Sequence, residues 1–240
     1  MTELDDRRPI YQRLSDQLTL EIAQNKLRPG EAIPTETELA AKYKVALGTV
    51  RKALDRLVNE RLIERIQGSG TFVRRPDFGT AFVRFIRYFG SAGDRRLPVS
   101  HILSRETLVA AQDVAEALQL AQGTQVIRLV RVRIHDGLPV LSEEIWLEKA
   151  RFAPILIMED MRPQLLYPIY ESLCGEVVAH AEETITIDTA SQVDVEMLGL
   201  VVGHPVVVID RLALGYDERP IEWRRSRGSA SDFRYKVDIR

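Results

Sequence analysis

Side chains able to do chemistry gather in two places. In the first, Thr49, Arg51, Lys52 and Arg56 share a face opposite the apolar stripe Val50, Ala53, Leu54, Leu57 and Val58, the spacing of an amphipathic helix. Hydroxyls and cations on one helical face suit phosphate oxygens and base edges. Behind them, 62–66 and 71–75 read as a hairpin around Gln67-Gly68-Ser69-Gly70. The second place is Arg131-x-Arg133, two guanidiniums on one face of a strand because side chains alternate there. Aimed into a cavity they bind a carboxylate or phosphate; on a solvent face they make cross-strand ion pairs. A two-residue loop at Asp136-Gly137 sets Arg131 opposite Ser142 and turns Glu144 to that face; a three-residue loop sets it opposite Glu143.

Other chemistries find little support. The histidines, 101, 135, 180 and 204, are dispersed without metal-ligand spacing, and Cys174 is the single cysteine, which leaves no internal disulfide and suits a reducing cytoplasm. Phosphate-loop, dinucleotide and nucleophile-elbow motifs are absent. No catalytic residue, metal or cofactor is therefore expected. A composition of 45% hydrophobic and 28% charged residues over 240 positions is that of a globular chain with room for two domains. No apolar run approaches the roughly 20 residues that cross a bilayer, and the charged start MTELDDRRPIYQ lacks a signal-peptide core.

The elements that position the first place come before it. Ile10, Leu14, Leu18 and Ile22 recur with helical spacing from Pro9, and Pro29-Gly30 is expected to end that helix. Thr35 and Glu38 make a capping box at the start of a second helix, with Leu39, Ala40 and Tyr43 inward. Val45-Ala46-Leu47-Gly48 is short enough for the turn of a helix-turn-helix, and a third helix runs from about 47 to 60. Between Lys42 and Arg75 there are nine Lys and Arg against three Asp and Glu, although the whole chain carries −2. Such a basic segment localises attraction to phosphate.

On Pro9-Ile10-Tyr11, Leu27-Arg28-Pro29-Gly30, Ile33-Pro34-Thr35-Glu36, Leu39-Ala40, Thr49-Val50-Arg51-Lys52-Ala53-Leu54 and Gly68-Ser69-Gly70-Thr71-Phe72-Val73, the region 9–75 resembles the N-terminal domain of the GntR superfamily of bacterial transcription regulators. The resemblance implies a winged helix-turn-helix whose third helix enters the major groove and whose wing tip approaches the minor groove. It implies DNA contacts from Thr35, Glu36, Thr49, Arg51, Lys52, Gly68, Ser69, Gly70 and Thr71. Where the family usually has arginine at Thr37, and serine followed by arginine at Ala46-Leu47, this sequence departs. The expected consequence is an altered operator, because arginine is the residue that grips guanine bidentately.

Arg74-Arg75-Pro76-Asp77-Phe78-Gly79 reads as a linker, giving a domain at 1–76, a linker at 77–80 and a second domain at 81–240. In that domain Phe82, Phe85, Ile86 and Phe89 form a strand-like run before a turn at Ser91-Ala92-Gly93. Strands are expected at 99–109, 125–135, 138–147, 182–188, 205–214, 219–225 and 232–239. Helices are expected at 113–120, at 164–173 despite Pro168, and at 189–198 with Ala190, Val193 and Met197 inward. Hairpin-linked strands with few helices argue for an antiparallel α+β sheet.

Val130-Arg131-Val132-Arg133 before Asp136-Gly137-Leu138-Pro139-Val140, Leu166-Tyr167 before Cys174-Gly175, Leu198-Gly199-Leu200 before His204-Pro205-Val206, and Arg219-Pro220-Ile221-Glu222 before Asp232-Phe233-Arg234-Tyr235 make the region similar to the UTRA effector domain. That domain marks the HutC branch of the superfamily and has a chorismate-lyase-like fold. The resemblance implies an effector pocket lined by Arg131, Arg133, Glu143, Tyr167 and Glu222; the family's spacing favours Glu143 over Glu144. Leu165 stands where the family often has a serine, and Arg227-Gly228-Ser229-Ala230 departs from its aromatic tail, so a small carboxylate or amino-acid-like metabolite suits the arginines as well as a sugar phosphate. The implied protein is a cytoplasmic, homodimeric regulator, most simply a repressor, reading a palindromic double-stranded operator and answering a small anionic effector. The competing reading is an enzyme of lyase-like fold fused to a DNA-binding head.

Overall fold

The computed structural model describes residues 8–75, 98–159, 162, 165–231 and 233. Its contacts divide the chain into two compact units. The expectations for the aromatic run from Phe82 to Phe89, the turn at Ser91-Ala92-Gly93, the linker at 77–80 and a strand at 232–239 lie outside the described residues.

The first unit is three helices and a hairpin. Helix α1 (Ile10–Ala23) buries Leu14, Leu18 and Ile22. It ends before Pro29-Gly30, because Asn25 takes a left-handed conformation (φ 55°). Lys26 N–H then donates to Glu21 O and Asn25 N–H to Ile22 O, the two bonds that close a helix C-terminus. Helix α2 (Glu36–Tyr43) starts with the expected capping box: Thr35 Oγ1 accepts from Glu38 N–H, and Thr35 N–H donates to Glu38 Oε2. A left-handed Lys44 ends it, so the turn is Lys44 to Ala46 and Leu47-Gly48 already belong to α3 (Leu47–Asn59). Helix α3 buries Val50, Ala53, Leu54 and Leu57. Strands β1 (Ile63–Ile66) and β2 (Gly70–Val73) pair antiparallel, Ile66 opposite Gly70. The wing tip is therefore Gln67-Gly68-Ser69, and Gly70 is the first residue of its strand. Ile33 N–H donates to Thr71 O and Val73 N–H to Glu31 O, which ties the second edge of β2 to the segment ahead of α2.

The second unit is a six-stranded antiparallel sheet, order β3-β4-β5-β8-β7-β6. Its elements are β3 (Val99–Val109), α4 (Gln112–Ala117), β4 (Gln125–His135), β5 (Leu138–Glu148), α5 (Lys149–Phe152) continuing as a 3₁₀ turn, and α6 (Tyr167–Ile169) continuing as a π turn to Cys174. Then follow β6 (His180–Thr189), α7 (Gln192–Leu198), β7 (Pro205–Leu214) and β8 (Pro220–Ser229). The sheet is a duplication. Leu118, Leu120, Gly123, Val126 and Arg131 in the first half recur as Leu198, Leu200, Gly203, Val206 and Arg211. The bond from Ala110 N–H to Thr124 O likewise recurs from Ala190 N–H to His204 O. The halves meet where Glu144 pairs with Arg225.

The two sheet faces carry different loads. On the inner face Ile127, Leu129, Ile145, Leu147 and Ala213 pack with Phe152, Ile155 and Tyr170 in one apolar cluster. Farther along the same strands this face turns charged. On the outer face α4 covers Val126, Trp146 and Trp223. Helix α7 departs from expectation: Val193 is 54% exposed, and the buried residues are Asp194 and Leu198. Ser191 and Asp194 form a capping box, and Asp194 also accepts from Arg227 Nε at 2.9 Å. An acid with those partners can be buried where an apolar residue was expected.

Candidate functional site

In the first unit the residues expected on DNA lie at the surface of α2, α3 and the wing. Arg51 and Lys52 are exposed and Thr49 is half-buried in the first turn of α3. Arg51 Nε donates to Glu36 Oε2 at 2.7 Å, an exposed pair that contributes little to stability. Thr35 is committed differently: its hydroxyl donates to Glu38 Oε2 at 2.8 Å, which makes it a cap first. Helix α3 starts at Ala46 without a side-chain cap, and Thr49 does not supply one. Its first N–H groups are thereby left to an outside acceptor such as phosphate oxygen. Gly68 (φ 77°) requires its left-handed backbone at the wing tip beside Ser69, and Gly70 and Thr71 follow in β2. Thr37 and Leu47, the positions of departure, are both exposed.

In the second unit a turn and a bulge together set the geometry. Asp136 (φ 48°) and Gly137 (φ 80°) make a two-residue turn with both residues left-handed, and His135 pairs with Leu138. That loop alone would set Arg131 opposite Ser142. Val140 is skipped in the ladder, however, since Ile134 pairs with Pro139 and Arg133 with Leu141. This β-bulge brings Arg131 opposite Glu143 and leaves Glu144 on the other face with Arg128. Gly228 is needed beside it: a Cβ there would lie 2.7 Å from Leu141 Cδ2 and 2.9 Å from Val140 O.

Arg131, Arg133, Glu143 and Glu222 are buried. Glu143 Oε2 accepts from Arg131 Nε at 2.5 Å and Arg133 Nε at 3.0 Å, while Oε1 accepts from Arg224 Nη1 and Ser226 Oγ at 3.3 Å. Glu222 accepts from Arg224 Nη2 at 2.9 Å and Tyr170 Oη at 2.6 Å. Tyr167 lies at the rim, its hydroxyl 3.4 Å from Glu222 Oε1 and 3.5 Å from Arg211 Nη1. Arg211 is held by Glu183. The structure thus brings together all five residues expected for the effector pocket and adds Arg211, Arg224, Tyr170, Glu183 and Ser226. Arg211 had a detectable signal, as the repeat partner of Arg131.

Burial works against ionisation of Glu143, yet Arg131, Arg133 and Arg224 hold it well below the usual carboxylate range. Burial first, and then Arg131, pull Arg133 down to about 9 against the attraction of Glu143. Positive charge is in excess: Arg131, Arg133, Arg211 and Arg224 face Glu143, Glu183 and Glu222. Arg131 Nη1 and Nη2 and Arg224 Nε are buried without a hydrogen-bond partner. A void of about 20 Å³ lined by Glu143, Arg211, Arg224 and Ser226 among others has room for about one water molecule. Among the described residues no His, Cys, Asp and Glu cluster could hold a metal ion.

Residues 10–73 match the bacterial regulatory proteins of the gntR family, and residues 94–234 match the UTRA domain. The chain belongs to the gntR family and carries a UTRA domain. This gntR–UTRA chain is 27% identical over 235 residues to the mannosyl-D-glycerate transport/metabolism system repressor MngR of Escherichia coli, across 96% of this chain and 95% of that protein. It is 25% identical to the HTH-type transcriptional repressor NagR of Bacillus subtilis over 96% of this chain and 95% of that protein. The crystal structure of PhnF from Mycobacterium smegmatis shares the fold, with a TM-score of 0.57 at 24% identity over 97% of this chain and 99% of that one. The gntR–UTRA chain is a DNA-binding transcription regulator whose operator affinity is modulated by a small molecule bound in its C-terminal domain.

Proposed function

We propose that this regulator is a cytoplasmic homodimer that represses from a palindromic operator and is released by a small monoanionic metabolite. The observation that carries the effector class is Arg131, whose guanidinium spends Nε on Glu143 and keeps both Nη atoms buried and unpartnered. A fork of that shape receives a carboxylate bidentately. Four arginines against three glutamates leave about one positive charge to neutralise, which favours one carboxylate over a phosphomonoester of roughly −1.5 to −2. The name of the E. coli relative, a mannosyl-D-glycerate system repressor, fits that class. Arg131, Arg133, Glu143, Tyr167 and Glu222 would contact the effector, joined by Arg224.

A metabolite is far larger than a void of about 20 Å³, so binding has to move what covers the cluster. An effector acts by favouring one arrangement over another, and a closed site supplies that difference. On the DNA side the reading assigns Arg51, Lys52 and Thr49 to the major groove and Gly68, Ser69, Gly70 and Thr71 to the wing contact, with Thr35 and Glu36 at the start of α2. Half-exposed Leu47 suits a thymine methyl where the family's arginine would take guanine.

The enzyme reading has less support. Burial and Glu222 push Tyr170 well above its ordinary value, and burial raises Tyr167 and Cys174 as well. A general acid or base working near neutrality needs the opposite. The test is native mass spectrometry of the purified chain followed by denaturation. The expected result is a carboxylate released from wild type and absent from Arg131→Met. Equal release from both would remove the site from Arg131.

A further inference from the structure

The duplicated sheet makes one half a control for the other. On the outer face, α4 sets Val114 and Leu118 on Trp146 and Trp223, whose indole rings stack with centroids 4.8 Å apart and planes 26° apart. The strands pair Trp146 with Trp223 on one side of the central Glu144–Arg225 pair and Ser142 with Arg227 on the other. Rotation about that centre carries Trp146 onto Arg227 and Trp223 onto Ser142, just as the repeat carries Val114 onto Asp194 and Leu118 onto Leu198. Beneath α7 the apolar trio Val114, Trp146 and Trp223 is thus replaced by Asp194, Arg227 and Ser142.

One indole has become a guanidinium and the other a serine, and the lost ring leaves space. A cleft of about 460 Å³ lies there, its lining including Ser142, Glu144, Ala190, Val193, Met197 and Arg227, a volume within the range of small-molecule sites. Arg227 Nε donates to Asp194 at 2.9 Å, Nη1 to Asp188 at 2.9 Å and Nη2 to Thr189 O at 3.1 Å. Those bonds run from the edges of the guanidinium plane, which fixes its orientation and leaves stacking to its faces. The helix wall changes in step. Val193, 54% exposed, and Met197 stand where the first half has Asp113 and Ala117, so apolar side chains line the space from which a ring is missing.

We propose that this cleft is a second small-molecule site, on the sheet face opposite the arginine cluster, and that it takes a planar aromatic ring stacked on Arg227 where Trp223 stacks on Trp146 in the other half. Met197 and Val193 supply the apolar wall, and thioether–ring contact is favourable. Ser142 Oγ and the Glu144 carboxylate lie at the floor and suit a ring bearing an N–H, so the class is a small heteroaromatic compound with a donor edge.

Saturation-transfer NMR on the full chain, with indole as the probe, tests this. Transfer to the indole protons is expected in wild type. Ser142→Trp rebuilds the stacked arrangement from within and is expected to weaken indole binding at least tenfold. Ser142→Phe serves the same purpose should circular dichroism show the tryptophan variant unfolded. The proposal is overturned if wild type shows no transfer or if both filling variants bind indole as wild type does.

Discussion

In the head, Arg51, Arg56 and Arg65 sit at the surface, each against one or two carboxylates: Glu36 at 2.7 Å, Asp16 and Glu60 at 3.1 and 2.7 Å, and Asp55 at 2.7 Å. In the sheet domain Arg131, Arg133 and Arg224 are buried around one shared carboxylate, Glu143, and Arg224 also reaches buried Glu222. The same ion pair therefore means different things in the two regions. Exposed pairs are screened, contribute little to stability and can be exchanged for phosphate oxygens. Buried pairs have lost their water and hold only while compensated. The head is built to trade its partners, and the sheet domain to be disturbed by a change in charge.

The sharpest way to break this comparison is to remove one carboxylate from each region. Glu143→Ala removes the carboxylate that Arg131, Arg133 and Arg224 share, leaves Arg224 to Glu222, and is expected to cost about 3–5 kcal/mol, read from urea unfolding. Glu36→Ala is expected to leave stability unchanged. Comparable losses from both would mean that burial is not what separates the two sets.

A pH titration asks the same question more gently. Glu143 titrates below its ordinary value of 4.5 when folded. Its contribution to stability is therefore fully present above the unfolded pKa and disappears as pH falls through the depressed folded one. Urea midpoints measured from pH 6 downward should fall less steeply in Glu143→Gln than in wild type. Parallel curves would show that the cluster does not hold the ionised form.

Arg51→Ala should weaken operator binding roughly tenfold or more at fixed salt while leaving unfolding unchanged, as measured by gel-shift titration together with a melt. Unchanged affinity would remove Arg51 from the interface. The smallest effect is expected at Thr35. Its hydroxyl caps α2, so Thr35→Ala should cost about 1 kcal/mol of stability. A loss of operator affinity without that destabilisation would make Thr35 a contact before a cap.

Local chemistry made most of the fold legible. The stripe of α3, the Thr35–Glu38 box and the Asp136-Gly137 turn each act within a few residues, and each of those elements stands where its spacing put it. What escaped was set by distant partners. Val140 looks like any strand residue, and only the paired strands, with Gly228 behind them, show that it is skipped and that Glu143 is thereby turned inward. Asp194 reads as the polar side of an amphipathic helix until Arg227 reaches it from another strand. Arg224 gives no local hint of bridging Glu143 and Glu222. Arg211 was within reach, because the Leu-x-Leu-x-x-Gly-x-x-Val pattern ahead of Arg131 recurs ahead of it.

The proposed function requires that ligand binding at the buried arginine cluster change operator affinity in the head. Fluorescence anisotropy of labelled operator DNA, titrated with wild type and with Arg131→Met in the presence and absence of a panel of small carboxylates, tests that claim most directly. The expected result is equal operator affinity for the two proteins without carboxylate, and at least a tenfold loss in wild type alone with one member of the panel. An Arg131→Met protein that releases the operator as wild type does would contradict it.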